Sequence, residues 1–205
     1  MTPAPKTPLS VYLIRHGQTA WSLSGQHTGS TDIPLTAHGE AEARELLPWL
    51  RQVQFGLVLT SPRQRARRTC NLVGLGREAE IEPDLAEWNY GDYEGKLSSD
   101  IRKERPEWNV FQDGCPGGEM PEQVSDRADR LIARLCTMNG NVALFSHGEF
   151  GPALAARWIG LQVAAGQHLP LGTASLSILS YNPAHSEVRV IALWNAAPTR
   201  FASSV

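Results

Sequence analysis

Two short apolar runs end alike, in LIRHG at 13–17 and in LFSHG at 144–148. Each delivers a histidine, His16 or His147, followed by a glycine. A neutral imidazole nitrogen is a nucleophile, and a second imidazole beside it can carry charge. Arg15 precedes the first histidine, and Arg63, Arg65, Arg67 and Arg68 crowd six residues after another apolar run. Guanidinium forks match phosphate oxygens, so histidine and arginine together suggest phosphoryl chemistry. The chain holds 16 Arg against 3 Lys, but codon usage explains such a bias as well, so only particular arginines carry the argument. Like charges at helical spacing repel, and Arg63, Arg67 and Arg68 read as a solvated face. Arg65, in the first turn of the expected helix, is the better anion ligand.

Loss of an alkoxide also needs an acid. Glu87, Asp92 and Glu94 lie in EWNYGDYEG, where Trp88, Tyr90 and Tyr93 can exclude water and raise a carboxyl pKa toward neutrality. Exposed loop carboxylates usually have no such role, so this run gains its weight from the histidines.

These groups need elements to position them. Short apolar runs predict strands at 10–14, 56–60, 79–82 and 142–145, and alternation predicts two more at 175–181 and 188–194. Helical spacing predicts a helix over 37–53, capped by Thr36 and kinked or ended early by Pro48, with Ala43, Leu46, Leu47, Leu50 and Val53 inward. A second starts at Ser61-Pro62, with Ser61 as cap, and buries Ala66, Cys70 and Val73. Others are expected at 98–104, along Val124, Ala128, Leu131 and Leu135, and over 152–159. The segment 83–119 is otherwise irregular, and long irregular segments usually serve function. Strand and helix alternate, which predicts a single α/β domain over 1–205, with a mainly parallel sheet and helices on both faces. In such sheets ligands bind beyond the carboxyl ends of the strands, where both histidines lie.

With 205 residues, 41% hydrophobic and 20% charged, the chain has material for one sizeable core. A net charge of -2 disfavours a nucleic-acid partner. Three cysteines without a C-x-x-C pair argue against a disulfide framework. The leader MTPAPKTPLSVYLIR lacks the long apolar segment of a secretory signal, and no run is long enough to span a membrane. A cytoplasmic location is expected. Metal-ligand clusters and nucleotide-binding glycine motifs are lacking, so neither a metal nor a cofactor is expected.

RHG with Q-T-x-W (15–21), T-G at Thr28 and Gly29, S-P-x-x-R-A-x-x-T (61–69), E-x-x-Y-G (87–91) and S-H-G (146–148) follow one another in the order of a known family. Through them nearly the whole chain resembles the histidine phosphatase superfamily, the phosphoglycerate-mutase-like group. The resemblance implies the three-layer fold of that group. It implies that His16 is the nucleophile and becomes a phosphohistidine, with Glu87 as proton donor. It makes Arg15, Arg65 and a protonated His147 ligands of the transferred phosphoryl group. Thr28 and Gly29 would lie beside the substrate phosphate, with Ser22, Tyr90 and Gly148 as further substrate-binding positions. Ser22 departs from the Asn common in the mutase branch.

That branch has a longer insertion after the acid with a paired-Arg element, whereas 95–119 is short and has no adjacent Arg pair. EWNYGDYEG and DGCPGGE look like a phosphatase branch that includes sedoheptulose-bisphosphatase-like and broad-specificity acid phosphatases. The expected partner is therefore a small phosphorylated metabolite, such as a sugar phosphate, and a homo-oligomer stays open. The rivals are a phosphoglycerate mutase and a non-catalytic phosphate-binding or interaction module on the same fold. Arg102, Lys103 and Arg105 form a basic group that either receives a second anion of the substrate or is a solvated helix end.

Overall fold

A computed structural model describes residues 8–198; the Pro-rich start of the leader, within which no signal is expected, lies outside them. Six strands form one sheet in the order β3-β2-β4-β1-β5-β6. They are β1 (Ser10–Arg15), β2 (Phe55–Thr60), β3 (Ala79–Ile81), β4 (Asn141–Ser146), β5 (Leu176–Tyr181) and β6 (Arg189–Ala196). β3, β2, β4 and β1 run parallel, and β5 and β6 are antiparallel additions. The chain is a single α/β domain.

The inner strands β1 and β4 are mostly apolar between their ends because both faces are covered. Val11 and Leu13 of β1 and Val142 and Leu144 of β4 enter one core, while Ile14, Ala143 and Phe145 enter the other. The first core is closed by α7 (Pro121–Leu135) and α8 (Phe150–Trp158), the second by α2 (Ala37–Glu45), α3 (Leu47–Leu50) and α4 (Gln64–Leu72). α1 (Ala20–Ser24), α5 (Ser98–Glu104) and α6 (Val110–Asp113) are short. Single 3-10 turns stand at Pro83–Leu85 and Gly91–Tyr93, and a six-residue 3-10 helix at Val163–His168. Among the described residues no helix is long and apolar enough to cross a membrane.

The helix expected over 37–53 is two. Thr36 caps the first, accepting from Gly39 N at 2.9 Å, and Pro48 stands in the first turn of the second. The break turns Leu47 outward to 36% exposure, whereas Ala43, Leu46 and Leu50 are buried as the spacing requires. α4 begins later than expected, at Gln64, and its first amide donates to Asp32 Oδ1 at 2.8 Å. Ser61 stands two residues ahead of the N-cap position, where its Oγ accepts from Arg63 N at 3.2 Å as well as bonding His147.

Candidate active site

Strand register brings the two histidines together. β1 and β4 are parallel neighbours with Arg15 opposite Ser146, so the next residues, His16 and His147, leave the sheet side by side. His16 N donates to Ser146 O at 3.1 Å, and the ring centroids stand 5.2 Å apart. On the other side of β4, Thr60 lies opposite Phe145, which places Ser61 next to His147.

Backbone and side-chain partners fix the protonation of both rings. His16 Nδ1 lies 2.7 Å from Gly17 O, and a carbonyl only accepts, so Nδ1 carries the proton and Nε2 keeps its lone pair. Burial, with the charges of Arg65 and Arg15, holds the His16 pKa well below its ordinary value. His147 differs from the protonated form expected for it. Arg65 Nε donates to its Nδ1 at 3.2 Å, so Nε2–H donates to Ser61 Oγ at 2.7 Å. Burial and then Arg65 lower its pKa well below the ordinary value, and the ring is neutral. Arg65 and Ser61 are remote from it in sequence, which hid this arrangement.

Arg65 is fully buried. Besides His147 it donates to Thr31 O, Thr28 O and Gly29 O at 2.9–3.2 Å, so most of its fork holds the 28–31 loop and a single Nη proton remains. Arg63, expected to be solvated, is half-buried with its Nε unpartnered, and its charge acts on both His147 and Arg65. Arg67 and Arg68 are exposed as expected. Arg15 donates to Leu171 O and has a buried Nε without a partner. Its guanidinium lies against Gly148, where a Cβ would come within 2.9 Å of Cζ.

Glu87 is buried at 6% exposure, at the N-terminus of α8. Oε1 accepts from Trp88 N and Phe150 N, both at 2.8 Å, and Oε2 from Glu149 N at 3.1 Å. Those amides favour the carboxylate, but burial and then the neighbouring charge of Glu149 win and push the pKa up to about 7. Burial, and then the charge of Glu149, raises the pKa of the Tyr90 phenol well above its ordinary value, so it stays neutral. The other two acids are separated from the histidines by their surroundings. Glu94 accepts from Gly29 N and Thr31 N at 2.9–3.1 Å, and Asp92 is exposed on the Gly117 turn.

A cavity of about 250 Å³ collects Arg15, His16, Ser22, Thr28, Glu87 and Tyr90 on its wall. Arg65, His147, Gly29 and Gly148 are not on it. The two buried side chains stand beside His16; Gly29 packs under Trp88 O, where a Cβ would approach to 2.3 Å, and Gly148 makes room for Arg15. Ser22 reaches the cavity with its hydroxyl already accepting from Thr19 N at 2.8 Å in the capping box of α1. The sequence reading gave no role to Gln26, His27, Ser98 or Glu149, which also line the cavity. The positions of His27 beside Thr28 and of Glu149 after S-H-G were the available signals.

The family model described as "Histidine phosphatase superfamily (branch 1)" matches residues 11–195. An acid phosphatase of Mycobacterium tuberculosis is 40% identical over 185 residues, covering 88% of this chain and 91% of that protein. The sedoheptulose 1,7-bisphosphatase of Saccharomyces cerevisiae is 40% identical over 184 residues, covering 74% of this chain and 68% of its own. The solved structure of an open reading frame product from Mycobacterium tuberculosis superposes with a TM-score of 0.86 at 37% identity, over 92% of this chain and 97% of the other.

Proposed function

Because this chain belongs to the histidine phosphatase superfamily, we propose that it hydrolyses small phosphomonoesters, sugar phosphates among them, through a phosphohistidine at His16 and with no step assigned to a metal. It is a phosphatase by its relatives; the substrate and the route are our reading. One observation carries it: burial, with neighbouring charges, keeps His16 neutral and lifts the Glu87 pKa to about 7, which puts a nucleophile and an acid at one cavity.

His16 Nε2 attacks phosphorus, and the bond from phosphorus to the ester oxygen breaks. The Glu87 proton passes to that oxygen, which leaves as an alcohol. Water then attacks the phosphohistidine and gives its proton to the Glu87 carboxylate. The P–N bond breaks, returning neutral His16 and releasing phosphate. The positive charges of Arg15 and Arg65, which add to burial in keeping His16 neutral, would stabilise the negative charge of the transferred group. In this reading the incoming oxygens take the unpartnered Arg15 Nε and the spare Arg65 proton.

The test is protein quenched during turnover. Acid-labile, base-stable phosphate on His16, no turnover by His16→Ala, and activity retained in excess chelator are expected. Phosphate on another residue, or normal turnover by His16→Ala, would overturn the route. A coupled mutase assay beside phosphate release separates hydrolysis from transfer.

A further inference from the structure

A second cavity, of about 190 Å³, adjoins the catalytic one, and His27, Ser98 and Glu149 line both. Arg102, Asn109 and Gln167 line the second alone. The three basic residues after the acid loop thus have different surroundings. Lys103 is 74% exposed and paired with Asp100, and Arg105 bonds the Tyr93 hydroxyl at 3.3 Å and pairs with Asp113. Arg102 donates Nε to Trp108 O at 3.0 Å, which fixes its guanidinium. It makes no ion pair among the described residues, so both Nη groups are left to donate. Gln167 Oε1 accepts from Asn109 Nδ2 at 2.8 Å and from Gln112 Nε2 at 3.2 Å, which orients its own amide protons away from those bonds.

The shared wall is rigid. The His27 ring stacks on Tyr90 at 4.5 Å and meets Trp108 edge-on at 5.3 Å, and its Nε2 bonds Ser98 Oγ at 3.0 Å. Between the two cavities, Ser98 and Glu149 present a hydroxyl and a carboxylate, groups that match the hydroxyls of a polyol.

We propose that Arg102, aided by the Gln167 amide, receives a second phosphate, so that the preferred substrate is a bisphosphorylated polyol. The proposal rests on the phosphatase reading of His16 and extends it to a specific substrate class. A charge-assisted bond at a remote group is worth roughly tenfold or more in binding.

Binding to the turnover-deficient His16→Ala protein, measured by calorimetry with a sugar bisphosphate and with the matching monophosphate, separates the two ideas. Adding Arg102→Ala should weaken the bisphosphate by roughly tenfold or more and leave the monophosphate unchanged. Arg102→Lys should recover part of the loss, since the charge returns without the fork. Lys103→Ala should alter neither ligand. In the protein with His16 intact, Arg102→Ala should hydrolyse an aryl phosphate at the normal rate. No loss for the bisphosphate, or equal loss for both ligands, overturns the proposal. Absence of aryl phosphate hydrolysis by the unmodified protein would defeat the phosphatase reading, while the binding comparison would still decide the role of Arg102.

Discussion

Glu87 is the residue on which pH acts most directly. Its carboxyl titrates at about 7, so the acid form is depleted as pH rises through that value. With a poorly leaving sugar alkoxide, kcat/KM should fall on the alkaline side of about 7, and Glu87→Gln should suffer far more with that ester than with an activated aryl phosphate. Equal losses on both esters would remove Glu87 from the acid role. Glu149→Gln keeps the backbone amide that binds Glu87 but removes the negative neighbour, so the alkaline limb should move to lower pH; an unmoved limb would leave burial as the whole cause. The same shift bears on stability. The folded pKa lies above the ordinary 4.5, so the stability linked to this proton is fully present below about 4.5 and is lost as pH rises through about 7. Glu87→Gln removes this loss, and urea titrations at pH 5 and pH 8 should show a smaller pH dependence for the variant. The residues alone left Glu87, Asp92 and Glu94 as candidate acids, and the family resemblance singled out Glu87. The sequence could not show that Glu149 supplies part of the shift, nor that burial and the Arg65 charge keep His147 neutral, because those surroundings exist only in the folded chain.

At the scale of elements, the side chain that positions the acid is Arg127 of α7. It pairs with both oxygens of Glu119, donates to Asp84 O and Ala86 O at 2.8 Å, and lies over the Phe150 ring at 4.3 Å. These bonds hold the segment leading into Glu87 against α7 and α8. Arg127→Ala removes the cation beside the partly buried Glu119, which keeps its bond from Asn89 N, and leaves two carbonyls without their donor; it should cost about 1–3 kcal/mol, read as a lower midpoint in urea. Thr36→Ala removes the cap of α2 and should cost about 1 kcal/mol in the same titration. A larger penalty is expected from Gly17→Ala, whose Cβ would lie 2.1 Å from Gly39 O, with loss of activity because the next residue back is His16. Strands, the Thr36 cap, the Pro48 break and α5 were readable from periodicity and local chemistry. The start of α4 was not, since Asp32 from another loop accepts from its first amide. α6 and the 3-10 segments are too short to leave a periodic signal.

For the whole molecule, the position of β1 matters beyond the chemistry at its end. It precedes the other strands in sequence but occupies an interior place in the sheet, paired on one side with β4 and on the other with β5. Synthesis proceeds at about 5–20 residues per second, so roughly 130 further residues, and on the order of ten seconds, separate the appearance of β1 from that of its β4 partner. Throughout that interval an apolar segment with unpaired backbone groups on both edges waits in the nascent chain, a natural client for a holding chaperone. His16 travels with it and stays remote from His147 until β4 arrives. Ribosome-bound chains arrested before β4 has emerged should therefore be protease-sensitive through β1, and protection should appear together with the capacity to release phosphate once β4 and β5 are both clear of the exit tunnel.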